Sequence, residues 1–196
     1  MNFNQLHYAG FWPRLGSFFL DLIIALPLAK LYSWGNGHYR LFMVYYLIPS
    51  TLFWLFYNVY LVRRFGGTPG KLLMKLRILK ADGAPIGYRE AFLRYIPEGI
   101  LYFLLTLALV IPLFHLSDAE YQALTAARRH NAVTAMAPFW YQPVSWMNMI
   151  WVWGEFVVLL TNPERRALHD FVAGTVVVYA PPKVKPPAIA EAPVSA

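Results

Sequence analysis

Three carboxylates, Asp21, Glu98 and Glu155, stand inside or at the head of long apolar stretches. An ionised side chain at the centre of a bilayer costs roughly 3 kcal/mol or more, so each of these must be paired, protonated or in contact with water. Two carboxylates brought together in a low dielectric resist joint ionisation, and that is the chemistry of a proton or cation site. Asp21 follows Arg14 by seven residues on the same helical face, about 10 Å deeper along the axis. Asn148, Glu155 and Asn162 recur at the same interval and form one polar stripe. Asn58 precedes Arg63, and Glu98 follows Arg94 by one helical turn. Asp21, Glu155, Asn58 and Glu98 are therefore the candidate ion- or proton-binding residues of a shared polar layer. The structural alternative is that Asp21 pairs with an arginine such as Arg14 or Arg166, while Asn58 and Asn148 hydrogen-bond between helices.

Other chemistries find little support. The chain has no cysteine, which removes disulfides, thiolate metal sites and a cysteine nucleophile. The run Gly66-Gly67-Thr68-Pro69-Gly70-Lys71 resembles a phosphate loop, but Phe65 replaces its first glycine and Leu72 replaces the Mg²⁺-binding hydroxyl. His7, His38, His115, His130 and His169 include no metal-binding helical pair, and no serine sits in a nucleophile elbow. No metal, no cofactor and no enzymatic activity are expected.

The elements that must position the carboxylates are membrane helices. Hydrophobic residues make up 58% of the 196 and charged residues only 14%, too little polar surface for a soluble domain. The fold class expected is all-α and integral to the membrane, with four transmembrane helices over residues 14–33, 41–62, 98–116 and 144–161. These form one membrane domain over residues 1–180, with a loop at 63–97, a segment on the opposite side at 117–143 and a disordered Pro/Ala-rich tail at 181–196. The first stretch should remain in the mature chain, because Asp21 splits its apolar run and no A-x-A site follows.

Within the 63–97 loop, Thr68-Pro69 reads as a helix start. A strand over 77–81 then ends at the turn Asp82-Gly83, and the β-branched run 175–179 can pair with it as a small two-stranded ribbon. An amphipathic helix over 88–96, with Arg89 and Arg94 on its polar face, is expected at the headgroup level until Pro97 turns the chain into the third span. Ser117-Asp118-Ala119-Glu120 matches a capping box and should start a helix reaching about Arg129 or beyond. Arg166 and Asp170 stand one turn apart as a helical ion pair, and Asp170 is also within reach of Arg14, a contact that would tie the chain ends together.

Lysine and arginine set the orientation. Arg63, Arg64, Lys71, Lys75, Arg77, Lys80, Arg89 and Arg94 crowd the 63–97 loop, with Arg14, Arg165, Arg166, Lys183 and Lys185 on the same side. Only Lys30, Arg40, Arg128 and Arg129 lie opposite. The positive-inside rule then puts both termini and the central loop in the cytoplasm of a plasma, or bacterial inner, membrane. The nearest partner for the basic loop over 63–94 is anionic lipid headgroups rather than nucleic acid. Four helices enclose little room, so a homo-oligomer or a partner membrane protein is also expected.

Three blocks carry a resemblance: Ala9-Gly10-Phe11-Trp12-Pro13-Arg14 leading to Asp21, Gly67-Thr68-Pro69-Gly70-Lys71 leading to Asp82-Gly83, and Arg165-Arg166-Ala167-Leu168-His169-Asp170 leading to Ala173-Gly174-Thr175-Val176-Val177. In order and spacing they resemble the RDD family of multi-pass membrane proteins. That family is named for one arginine and two aspartates, so the resemblance implies Arg14, Asp21 and Asp170 as its motif residues. Phe171 stands where many members carry a basic residue. The resemblance further implies either sodium/proton exchange, to which some members are linked, or an accessory role in a membrane complex.

Overall fold

A computed structural model describes residues 7–180. Four of its helical stretches are long and apolar enough to cross a membrane: Phe11–His38, Phe42–Leu73, Tyr88–His115 and Tyr141–Thr161. α1 (Phe11–His38) packs on α2 (Phe42–Leu55), which continues through a π-helical turn at Phe56–Tyr60 into α3 (Leu61–Phe65). α5 (Tyr88–Val110) packs against that π turn on one side and against α8 (Tyr141–Thr161) on the other, and α8 returns to α1. The four rods thus close a ring, and their outward faces are apolar because only lipid can cover them.

Prolines 27, 49 and 97 lie inside α1, α2 and α5 without ending them. A membrane helix tolerates the lost N–H where neighbouring helices support the backbone. Pro97 therefore does not turn an interfacial helix into a span: residues 88–110 form one continuous helix, and Arg94, expected on a polar face at the headgroups, is buried. The helix begun at Ser117 also departs from expectation. α6 (Asp118–Ala123) has the capping box, with Ser117 N–H donating to Glu120 Oε2 at 2.7 Å, but Leu124 and Thr125 are extended and α7 (Ala126–Ala135) starts anew. The break lets Arg129 fold back onto the Tyr121 carbonyl at 2.8 Å and the Gly37 carbonyl at the end of α1 at 2.9 Å.

One end of the bundle carries a small cap. Gly66, at φ +81°, ends α3 in the left-handed conformation that glycine adopts without steric cost. α4 (Pro69–Leu73) then lies against α1 and leads into β1 (Leu76–Lys80). β1 pairs antiparallel with β2 (Thr175–Tyr179), with Leu76 opposite Tyr179 and Lys80 opposite Thr175. The expected ribbon is present, one residue earlier on its first strand. The chain start joins it: Tyr8 bridges Val178, and Ala9 N–H donates to the Val177 carbonyl at 2.9 Å. Thr175, Val176, Val177 and Val178 are all buried, because the ribbon is covered on both faces and alternation is lost. Ala9, Val62, Leu76, Ile78, Ile86, Ala91 and Val177 form the core of this cap. The tail at 181–196 lies outside the described residues.

Candidate functional site

Three acidic centres gather at the ribbon end of the bundle. The first is Asp170, in the short helix α9 (Leu168–Ala173), which packs on α5 and α8. Its side chain is fully buried. Arg14 Nη1 donates to its Oδ2 at 2.6 Å and Arg94 Nη1 donates to its Oδ1. Thr175 Oγ1 donates to Oδ1 at 3.2 Å, and Ala167 N–H to Oδ2 at 3.0 Å. Burial alone would raise the Asp170 pKa, but Arg94, His169 and Arg14 outweigh it and hold the carboxyl well below the usual carboxylate range. Arg14 goes further: its Nε donates to the Ala9 carbonyl at 3.1 Å and its Nη2 to the Arg165 carbonyl at 2.6 Å. One carboxylate thereby knits the head of α1, the middle of the first half of α5 and the segment after α8.

The second centre is Asp21. Its Oδ1 accepts from Tyr57 Oη at 2.5 Å and from Gly70 N–H at 2.7 Å, and its Oδ2 from Thr68 Oγ1 at 2.6 Å. Among the described residues no arginine hydrogen-bonds or ion-pairs with it, contrary to the pairing with Arg14 or Arg166 expected as the structural alternative. Three uncharged donors from the π turn and the start of α4 satisfy it instead. A carboxylate facing the first N–H groups of a helix is itself stabilising. Gly70 is required by the closeness of this approach: a Cβ there would stand 2.7 Å from Asp21 Oδ1 and against the Ser17 carbonyl. Gly70→Ala is expected to push α4 off α1 and to cost about 2 kcal/mol, read as a lower unfolding temperature in detergent, and an unchanged temperature would contradict this geometry.

The third centre joins Glu155 of α8 to His169 of α9. Glu155 Oε1 accepts from His169 N–H at 3.0 Å, and Oε2 stands 2.6 Å from His169 Nδ1 without an acceptable hydrogen-bond angle. The contact is close in distance but not well directed. His169 Nε2 lies 3.8 Å from Asp170 Oδ1, so the imidazole spans the first and third centres. Glu98 on α5 faces this region within electrostatic range of His169, Glu155 and Lys71. Its side chain is exposed on the surface of the described residues.

Of the candidate residues, Glu155 and Glu98 thus share one neighbourhood and Asp21 has its own. Asn58 donates to the Trp54 carbonyl of its own helix at 3.2 Å and joins no interhelical bond among the described residues. Asn148 is half-buried on α8. Asn162 leaves the expected stripe and clips the loop after α8, donating to the Arg166 carbonyl at 2.7 Å and accepting from Arg166 N–H at 2.8 Å. Arg166 bonds the backbone carbonyl of Asp170, at 3.2 Å, rather than its carboxylate. Sequence reasoning missed Arg94, Thr175, Tyr57, Thr68 and His169 as partners. No group of three or more His, Asp and Glu among the described residues has metal-site geometry. A groove of about 530 Å³ opens at the other end of the bundle, against Arg40, Tyr45 and Asp118, away from all three acidic centres.

The model of the RDD family matches residues 8–174, a stretch that contains Arg14, Asp21, Glu98, Glu155 and Asp170. The chain is also 27% identical over 179 residues to an uncharacterized protein of Bacillus subtilis (strain 168), YckC, covering 89% of this chain and 86% of that protein. No solved structure matches. With Arg14, Asp21 and Asp170 placed in two hydrogen-bonded centres at one end of a four-helix membrane bundle, the chain belongs to the RDD family.

Proposed function

We propose that this membrane protein exchanges a monovalent cation such as sodium for protons at Glu98 and Glu155, with His169 as the group that relays the proton. The observation that supports this reading is the contrast among the acidic centres. Asp170 is neutralised by two arginines and Asp21 is filled by three donors. Glu98 and Glu155 lie within electrostatic range of each other, and among the described residues neither is in salt-bridge contact with a guanidinium or ammonium. A proton and a cation are alternative neutralising partners for such a pair in a low-dielectric setting. In this reading the ribbon end faces the cytoplasm of the plasma membrane, both termini lie on that side, and Asp21 positions α4 rather than carrying the ion.

The test is uptake of radioactive sodium by reconstituted vesicles under an outward proton gradient. Glu98→Gln and Glu155→Gln are each expected to lower uptake by at least about tenfold, with the protein still eluting as a single folded species. Uptake no greater than in empty vesicles for the unmodified protein would refute the exchange reading.

A second reading, an accessory subunit of a membrane complex, draws on a different observation. Arg63, Arg64, Arg77 and Arg89 are exposed around the ribbon cap, free to meet acidic partner surfaces or anionic headgroups. Recovery of one stoichiometric membrane partner by gentle affinity purification would favour it.

A further inference from the structure

Away from the acidic centres, two recesses run into each other where α1 meets α2. The groove of about 530 Å³ at the end opposite the ribbon and a second one of about 350 Å³ both have Phe42 and Tyr45 in their walls. Each is within the roughly 300–1,000 Å³ of ordinary ligand pockets. The second is walled mainly by Leu28, Leu31, Phe42, Tyr46, Pro49 and Phe53. Its hydroxyls are turned to the backbone: Tyr46 Oη donates to the Leu28 carbonyl at 3.4 Å, and Ser50 Oγ to the Leu47 carbonyl at 3.0 Å. The wall that remains is hydrocarbon. From Phe42 to Phe53 α2 advances about 16 Å, and from His38 back to Leu28 α1 covers about 15 Å. The recess therefore reaches about half-way through a hydrocarbon core of about 30 Å, the depth of one leaflet.

The first groove is charged where the second is apolar. Arg40 Nε donates to Asp118 Oδ1 at 2.6 Å and Arg40 Nη1 donates to the Leu113 carbonyl, which leaves Arg40 Nη2 and Asp118 Oδ2 without partners among the described residues. The Asp118 side chain is 80% exposed. Tyr45 stands at the junction, itself exposed. Trp34 and Tyr39 are exposed near the same end, as aromatic side chains are at the headgroup layer. One cation, one anion and an apolar continuation one leaflet deep fit an amphiphile whose head carries both charges. We infer that the recess holds one phospholipid with a phosphate and a primary ammonium in its head. The phosphate faces Arg40 and the Tyr45 hydroxyl, the ammonium donates to Asp118, and one acyl chain follows the wall from Phe42 to Phe53. A head without an ammonium would set its negative charge beside Asp118 uncompensated. A quaternary ammonium would offer that carboxylate no N–H. This site is separate from Glu98 and Glu155, which lie at the other end of the bundle.

The experiment is native mass spectrometry of the full-length protein in mild detergent, titrated with equimolar phosphatidylethanolamine, phosphatidylglycerol and phosphatidylcholine of the same acyl chains. One phosphatidylethanolamine per chain is expected, favoured at least about tenfold over each of the other two. Asp118→Asn, at an exposed side chain, should still retain a lipid but lose the preference over phosphatidylglycerol. Leu31→Trp, which fills the apolar wall, should lose the bound lipid. No preference for phosphatidylethanolamine in the unmodified protein would overturn the inference, as would a preference unchanged in Asp118→Asn. Lipid retained in full by folded Leu31→Trp would place it elsewhere and overturn the inference too. Should Leu31→Trp not fold, the result for Asp118→Asn decides.

Discussion

Asp170→Asn is expected to destabilise the folded protein by about 3–5 kcal/mol, the usual cost of removing one partner from a buried ion pair. The loss is large because the two arginines keep their charge. Arg14 and Arg94 would face each other across an uncharged amide, and Thr175 and Ala167 N–H would compete for the single remaining acceptor. The measurement is thermal or denaturant unfolding in detergent, with Arg94→Met in the same background as a control. Removing one of the two repelling cations should recover part of the loss. The pH dependence has a definite sign. Asp170 has its folded-state pKa depressed below the unfolded value of about 3.9. Its contribution is therefore complete above pH about 4 and is lost only as pH falls toward the depressed value. Stability that fell between pH 8 and 5 because of Asp170 would contradict the clamp.

Asp21→Ala comes next in size, at about 3 kcal/mol, since it strands the Tyr57 hydroxyl, the Thr68 hydroxyl and the Gly70 N–H at once. Asp21→Asn should be milder, about 1 kcal/mol. The amide retains one acceptor, and either hydroxyl can rotate to accept from its NH₂ group. A ranking of alanine well below asparagine in unfolding temperature supports a positioning role, with Asp21 holding α4 against α1. Full stability of Asp21→Ala would mean that these bonds do not form.

Much of the architecture can be read from the chain because local patterns and burial agree there. The apolar stretches are long enough to dictate their own state, Ser117 and Glu120 cap α6 as their spacing requires, and the β-branched run Thr175–Tyr179 finds β1. Arg14 and Asp170 meet as their shared side of the membrane allows. What escapes the sequence is the donor set around each carboxylate. Tyr57 and Thr68 reach Asp21 from positions 36 and 47 residues further along the chain, and nothing local distinguishes them from other hydroxyls. Arg94 is misread for a stronger reason. One turn before Glu98 and beside Arg89 it looks like the polar face of a surface helix, yet α9 folds back over α5 and buries it. The π turn at Phe56–Tyr60, which carries Tyr57, has no signal in residue type either. His169 reads as a solitary histidine until α9 is laid beside α8.

The central claim is that Glu98 and Glu155 are open to a ligand while Asp21 and Asp170 are committed to the fold. The most direct measurement is labelling of the membrane-embedded protein with a hydrophobic carbodiimide at mildly acidic pH, followed by mass spectrometry to find the modified residues. Label is expected on Glu98 or Glu155, reduced when sodium is present, with Asp21 and Asp170 untouched. Label on Asp21 or Asp170 while both glutamates stay unmodified would contradict the account.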